Sequence, residues 1–349
     1  MSDAHLFLGD DGVAFAGSVN AAWYDESHGS VLMLTAPSRQ LVEIPLGSYV
    51  PPAPHDPVPS HGSPLLARSK SAPGLAFDAA HESPSPCEQE LENGHRMLYD
   101  FGVAPSSAAG REVDPAAPIV LMRLSLDRQF LAIQKSDVEV QIVRLATREN
   151  YWIVCRSKPG NRILSDGVVW NTHAASPQSS QDLFLVTRLG IEQYRVSSKR
   201  RSCTLHRTIA VYVHRFWYSA SHSVLIVSTG SRANEIVPFL MQGPTVEKLP
   251  RLVFSSAVRT RDLYLASLYD DLYAIYGDSK TTRLLLYRIT RDKVSCVRSL
   301  HLMLPAGSPL KFSVVDNLLV CHSVEFSVAL FFDVKCDANT HDPFSHPLP

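Results

Sequence analysis

Short apolar runs, each closed by Asp, Asn, Gly, Ser or Pro, recur along this chain. The clearest stretch is KFSVVDNLLVCHSVEFSVALFFDVK, Lys311 to Lys335. Phe312, Val314 and Val315 lead into the polar pair Asp316-Asn317, and Leu318, Leu319 and Val320 follow, ending at Cys321-His322. A polar link, Ser323 to Ser327, gives way to Val328, Leu330, Phe331, Phe332 and Val334. Asp and Asn tolerate turn geometry and bond their own backbone, so Asp316-Asn317 predicts a hairpin tip. β-Branched and aromatic residues on both sides favour pleated strands over helix. A meander of three or four such strands is one blade of a β-propeller.

The same unit recurs, more loosely, five more times. The first has strands at Val19 to Tyr24, Val31 to Leu34 and Gln40 to Ile44, with turns at His28-Gly29 and Pro37-Ser38. The second has Val120 to Leu126, Phe130 to Gln134 and Val138 to Val143, with Tyr151 to Val154 as its outer strand. In the third, Ile163 to Trp170, Leu183 to Thr187 and Ile191 to Val196 precede Cys203 to His206, with Leu189-Gly190 as the tight turn. The fourth runs through Val211 to Trp217, Val224 to Ser228, Glu235 to Leu240 and Val246 to Leu249. The fifth has Leu263 to Ser267, Leu272 to Tyr276, Leu284 to Ile289 and Val294 to Leu302. An isolated strand or weak hairpin is expected within Leu6 to Phe15.

Between Pro51 and Pro118 the pattern stops. This segment holds 12 of the 24 prolines. Proline removes ladder donors, and such a composition cannot bury enough apolar surface to offset the entropy of ordering. A disordered insertion is expected, with a short helix near Glu88 to Leu98 and Ser-Pro sites at Ser83 and Ser85 open to phosphorylation or serving as plain linker. Outside it remain about 280 residues, enough for six to seven blades at about 40 to 45 residues each. The reading is therefore an all-β chain: first strands and blade in 1–50, insertion in 51–118, remaining blades in 119–336, and a tail in 337–349. A ring closes by joining strands from both termini in one blade. The tail offers only a strand at Phe344 to Leu348, so the last blade is expected to be incomplete.

Composition narrows the function. The formal net charge is −1, which gives no bulk attraction to nucleic acid. The six cysteines, Cys87, Cys155, Cys203, Cys296, Cys321 and Cys336, are scattered and suit reduced thiols in a cytosolic chain. The start lacks the basic region and apolar core of a signal peptide, and no apolar run is long enough to span a bilayer.

Candidate chemistry is sparse. Of the histidines, His55, His61 and His81 fall in the insertion, while His206, His214, His222, His301 and His322 fall on different strands or turns. None has zinc-type spacing with a cysteine, so no metal site is expected. Adjacent residues on one strand point to opposite faces, so Cys321-His322 is read as core packing and not a catalytic pair. Asp262, Asp270, Asp271 and Asp278 cluster in sequence; paired acids would suit glycosidase chemistry, yet each sits where a turn needs a polar residue. The basic run Ser198 to Ser202 is a solvated hairpin, a nuclear signal or an anionic-lipid contact. Phe216-Trp217-Tyr218 is read as packing between blades, with an exposed binding face as the other possibility. No catalytic, cofactor-binding or metal-ligating residue is assigned.

Several segments resemble the N-terminal propeller of the colon-cancer-associated, Mic-one-like family. These are LSLDRQFLAIQKSDVEVQIV from Leu124, LVTRLGIEQYRV from Leu185, FWYSASHSVLIVST from Phe216, VEKLPRLVF from Val246, RDLYLASLYDDLYAIY from Arg261, and the stretch from Lys311. The likeness covers roughly residues 119 to 335 and, more weakly, Val19 to Ile44. That family is the regulatory third subunit of the Mon–Ccz guanine-nucleotide exchange complex, which activates the late-endosomal Rab seven GTPase. The resemblance implies a non-enzymatic scaffold without cofactors. Its partners would be the Mon-type and Ccz-type subunits, and it would sit on late endosomes or lysosomes, peripherally and through those partners. Family members carry a shorter connection in place of the insertion, and continue past this chain's end into a helical domain. Two other classes compete: a propeller hydrolase or glycosidase with acids converging at a central cleft, and a different coat or tether subunit.

Overall fold

The computed structural model describes residues 18–25, 27–45, 89–90, 96–102, 118–155, 160–172, 180–197, 199–242, 246–278, 280–336 and 347. The strands expected within Leu6 to Phe15 and Phe344 to Leu348, most of the insertion, and His55, His61 and His81 fall outside the described residues. The chain divides into two compact units, Met1–Ala104 and Pro105–Pro349.

In the first unit, β1 (Ser18–Asp25), β2 (Ser30–Ala36) and β3 (Gln40–Pro45) form the expected meander. Its fourth strand comes from inside the proline-rich segment. The stretch near Glu88 to Leu98, expected to be a short helix, instead holds β4 (Gln89–Glu90) and β5 (Arg96–Asp100), and the sheet order is β1-β2-β3-β5-β4. The outer edge of β3 offers a row of backbone groups to pair, which outweighs the weak helical preference of a few residues. Leu41 lies opposite Tyr99, Gln40 Nε2 donates to Asp100 Oδ2 at 3.2 Å, and Tyr99 meets Phe101 edge-on at 4.9 Å.

The second unit is a run of consecutive antiparallel meanders, packed face to face in the manner of propeller blades. Sheet one is β6 (Leu121–Leu124), β7 (Phe130–Gln134), β8 (Glu139–Arg144) and β9 (Asn150–Val154). Sheet two is β10 (Ile163–Thr172), β11 (Ser180–Thr187), β12 (Gly190–Ser197) and β13 (Ser202–Ala210). Sheet three has β14 (Arg215–Ser219), β15 (Val224–Thr229) and β16 (Glu235–Leu240), with β17 (Glu247–Lys248) and β18 (Leu252–Val253) both pairing β16. Sheet four is β19 (Leu263–Leu268), β20 (Asp271–Gly277), β21 (Arg283–Ile289) and β22 (Val294–His301). Sheet five is β23 (Leu310–Val315), β24 (Leu318–Ser323) and β25 (Val328–Asp333).

Among the boundaries that differ from expectation, three have a clear local cause. The strand expected from Val211 begins at Arg215, because β13 continues to Ala210 along β12. The outer strand expected over Val246 to Leu249 is split in two around Pro250, which has no N–H for the ladder. The tight turn of sheet two is Arg188-Leu189, one residue early, since Thr187 pairs directly with Gly190.

Alternation along the middle strands sorts side chains into two seams. On β15, Leu225 and Val227 pack toward sheet two with Phe184 and Val186, while Val224 and Ile226 pack toward sheet four with Leu272 and Ala274. On β20, Leu272, Ala274 and Tyr276 face sheet three, and Tyr273 and Ile275 face sheet five with Leu319, Cys321 and Phe332. A strand buried on both faces reads as a continuous apolar run, which is why VLIV and LFLV dominate these positions. The outer strands β13 and β22 are mostly half-buried or exposed, with Leu300 the one core residue on them, and carry mixed polar residues.

Polar groups stitch the same seams. Trp170 Nε1 donates to the Arg123 carbonyl at 3.1 Å, its ring stacks on Phe130 at 6.3 Å, and its own carbonyl accepts from Tyr218 at 3.2 Å. The tips of sheets four and five interlock. Tyr269 and Asp270 have φ of 53° and 65°, and Asp316 and Asn317 have 47° and 67°. Two consecutive left-handed residues make the turn that matches hairpin twist. Asn317 Oδ1 accepts from the Tyr269 amide at 2.6 Å, the Tyr269 hydroxyl donates to Asp333 at 2.8 Å, and Lys335 Nζ lies 3.9 Å from the Tyr269 ring centre.

Three measurements check this account. Trp170→Ala removes a buried ring and its indole bond to the Arg123 carbonyl; unfolding in urea shows a loss of about 3–5 kcal/mol. Asn317→Ala removes the bond to Tyr269 and strains the turn, costing about 2 kcal/mol, while Asn317→Gly relieves the strain and costs less. Burial pushes the thiols of Cys203 and Cys321 up to about 12. At pH 8 a thiol-specific reagent, followed by mass spectrometry, therefore labels the exposed Cys336 in the folded chain and Cys321 only after denaturation.

Candidate interaction surface

The residues singled out in the sequence do not converge on one site. Among the described residues no group of three or more His, Cys, Asp or Glu side chains is placed to hold a metal ion. His206 is exposed on β13. The His214 ring meets Tyr212 edge-on at 4.8 Å and its Nε2 lies 2.8 Å from the Gly230 carbonyl. His222 sits in the β14–β15 turn, with Nδ1 3.0 Å from the Ser221 hydroxyl and Nε2 3.3 Å from the Asp270 carbonyl. Cys321 lies in the seam between sheets four and five. Its neighbour His322 faces the other way and bonds the Ser313 hydroxyl at 2.8 Å, as alternation requires.

The four aspartates have separate local tasks. Asp262 accepts from the Arg259 amide at 2.8 Å and from Arg259 Nε. Asp271 accepts from Arg288 at 2.8 Å across the β20–β21 pair. Asp278 caps its own turn by accepting from the Lys280 amide at 2.9 Å. Asp270 is the left-handed tip residue described above. Each is a turn or ladder group, in keeping with the short polar side chain's role there.

The basic run forms the β12–β13 turn. Lys199 and Arg200 are exposed, whereas Arg201 reaches Glu149 beside β9 at 3.4 Å and so ties sheet two to sheet one. Of the aromatic triplet, Phe216 packs in the seam with sheet two, Trp217 packs against sheet four and donates to the Thr260 carbonyl at 3.3 Å, and Tyr218 bonds Trp170. The packing reading of this triplet is the one the structure gives.

Sequence reasoning passed over the buried charges of sheet two. Asp182, 2% exposed, lies directly opposite Arg195, accepts from Gln193 at 3.0 Å, and has Arg195 Nε at 3.5 Å. Glu192, equally buried, accepts from the Tyr194 hydroxyl at 2.8 Å. A buried carboxylate is stable only when paired and bonded; Asp182 finds its partners across the β11–β12 hairpin, and Glu192 two residues along its own strand. The sequence signal was the polar pair Glu192-Gln193 set between the apolar Ile191 and Tyr194.

What remains for recognition is surface. Val324, Phe326 and Val328 are 68%, 43% and 40% exposed and form the tip between β24 and β25. β25 pairs only β24 among the described residues, so its other edge presents open backbone groups. Exposed apolar side chains beside an open edge are the features that a protein partner covers. No helix among the described residues is long and apolar enough to cross a membrane.

Comparison with known proteins supplies the context. The family model "Regulator of MON1-CCZ1 complex, N-terminal" matches residues 102–203. The human regulator of MON1-CCZ1 complex is 24% identical over 257 residues, covering 68% of this chain and 37% of that protein; the mouse protein gives the same values. The Dictyostelium discoideum homolog is 24% identical over 221 residues, covering 62% of this chain and 21% of its own length. The chain thus spans little more than a third of the human and mouse relatives. Among solved structures, the complex of the fission yeast SREBP-SCAP binding domains superposes with a TM-score of 0.50 at 11% identity, over 98% of this chain and 85% of that one, a likeness of fold alone. The blade segments from Leu124 onward, the family model over 102–203 and the named relatives agree, and the chain is related to the regulators of the MON1-CCZ1 complex.

Proposed function

We propose that the chain acts as a regulatory, non-enzymatic scaffold within a MON1-CCZ1-type exchange complex. The observation that carries this reading is the match to regulators of that complex across most of the chain. The fold suits the role: rigid sheets hold turns and edges in fixed positions, and a partner binds them without reorganising the scaffold. In this reading the exchange chemistry on the late-endosomal Rab GTPase belongs to the partner subunits. The scaffold helps place them on late endosomes and lysosomes, associating peripherally through its partners. Its cellular output is endosome-to-lysosome trafficking and autophagy.

The docking surface in this reading is the β24–β25 tip with its open edge. Three apolar side chains at the tip supply the desolvated contact that dominates such interfaces. Co-precipitation with co-expressed MON1 and CCZ1 recovers both subunits. The double change Val324→Asp and Phe326→Asp lowers recovery about tenfold while the melting temperature stays put, because both side chains already face water. A folded chain that recovers neither subunit overturns the assignment, and full recovery by the double variant moves the contact elsewhere.

A further inference from the structure

Three arginines from two segments of the chain line one cleft at the junction of sheets four and five. Arg259 and Arg261 stand just before β19, and Arg283 opens β21. The β22–β23 turn, with Pro305 and Pro309, also lines it, as do the apolar Leu284 and Phe312. The cavity is small, about 90 Å³. Two carboxylates share the lining, Asp262 and Asp278, so the arginines exceed them by one.

The carboxylates are already engaged. Asp262 is held by the amide and Nε of Arg259. That contact uses the inner nitrogen of the Arg259 fork and leaves its two terminal amino groups without a partner among the described residues. Asp278 Oδ1 is committed to the Lys280 amide. Arg261 is exposed and has no carboxylate partner among the described residues. A guanidinium fork matches the oxygens of an oxyanion, and apolar lining residues strengthen that attraction by lowering the local dielectric.

We propose that this cleft binds the phosphate of a phosphorylated serine or threonine carried by a protein segment. A phosphate monoester brings close to two negative charges and three acceptor oxygens, which several forks satisfy better than one carboxylate does. A protein segment fits better than a lipid surface for two reasons. Three exposed arginines, offset by Asp262 and Asp278, fall short of the larger polybasic cluster that anionic membranes attract. The prolines and Phe312 beside them offer apolar contact to the residues flanking a phosphorylated side chain.

The test titrates the full chain with a capped phosphoserine peptide having neutral flanks and with its unphosphorylated twin. Inorganic phosphate and phosphatidylcholine vesicles carrying a phosphoinositide are the other probes. The phosphopeptide binds, and the unphosphorylated peptide binds at least about tenfold more weakly. Arg261→Ala weakens the phosphopeptide by about tenfold without moving the melting temperature. Arg259→Lys, which keeps the charge but loses the fork, weakens it as well and serves if the alanine variant misfolds. Equal binding of the two peptides, affinity unmoved by both variants, binding of inorganic phosphate alone, or binding of the vesicles in place of the peptide each overturns the proposal.

Discussion

The second unit depends on one constraint: its middle strands bury both faces at once. Leu225 and Val227 look one way and Val224 and Ile226 the other, so β15 belongs to two cores and neither is complete without a neighbouring sheet. The same holds for β20, whose Leu272 and Ala274 oppose Tyr273 and Ile275. Each fully buried Leu, Ile or Phe contributes about 1.5–3 kcal/mol, and that gain is available only when the sheets stack. A single meander of this kind is marginal in water. The stack is therefore the unit of stability, and the turns serve it by setting register.

That constraint explains where the polar residues went. A sheet covered on both sides leaves only its turns and its outer strand in contact with water. Aspartates that resemble catalytic pairs in the sequence, such as Asp271 and Asp278, are found at the ends of β20, making ladder and turn bonds. The few polar groups inside are paired across one ladder, as Asp182 and Arg195 are, or span a seam, as Trp170 does through Arg123 and Tyr218. Recognition then falls to edges, tips and clefts between sheets, which suits a protein that holds partners in position. The β24–β25 tip and the arginine cleft are such places.

Much of this was legible beforehand. Period-two patterns and apolar runs bounded by Asp, Asn, Gly and Ser mark nearly every strand from Val19 to Asp333, because alternation and turn chemistry are local properties of the chain. Asp316-Asn317 is the best case, since the residue types that tolerate left-handed geometry are those found there. The opposite facing of Cys321 and His322 followed from strand geometry alone, and the segment likeness anticipated the relatives. The arginine cleft could not be read: Arg259 and Arg261 share one turn, but Arg283 opens a later strand, with no spacing to connect it to them.

The sequence by itself determined the strands, their hairpin tips and the absence of a local catalytic motif, because these depend on neighbours a few residues apart. Only the tertiary structure decided that Arg96–Asp100 is a strand and not a helix turn, since the open edge of β3 lies more than fifty residues upstream. It alone decided that Phe216, Trp217 and Tyr218 serve the seams and that Trp170 links Arg123 to Tyr218 across them. Such pairings are set by which surfaces come into contact once the sheets stack, and that contact energy does not exist until they do.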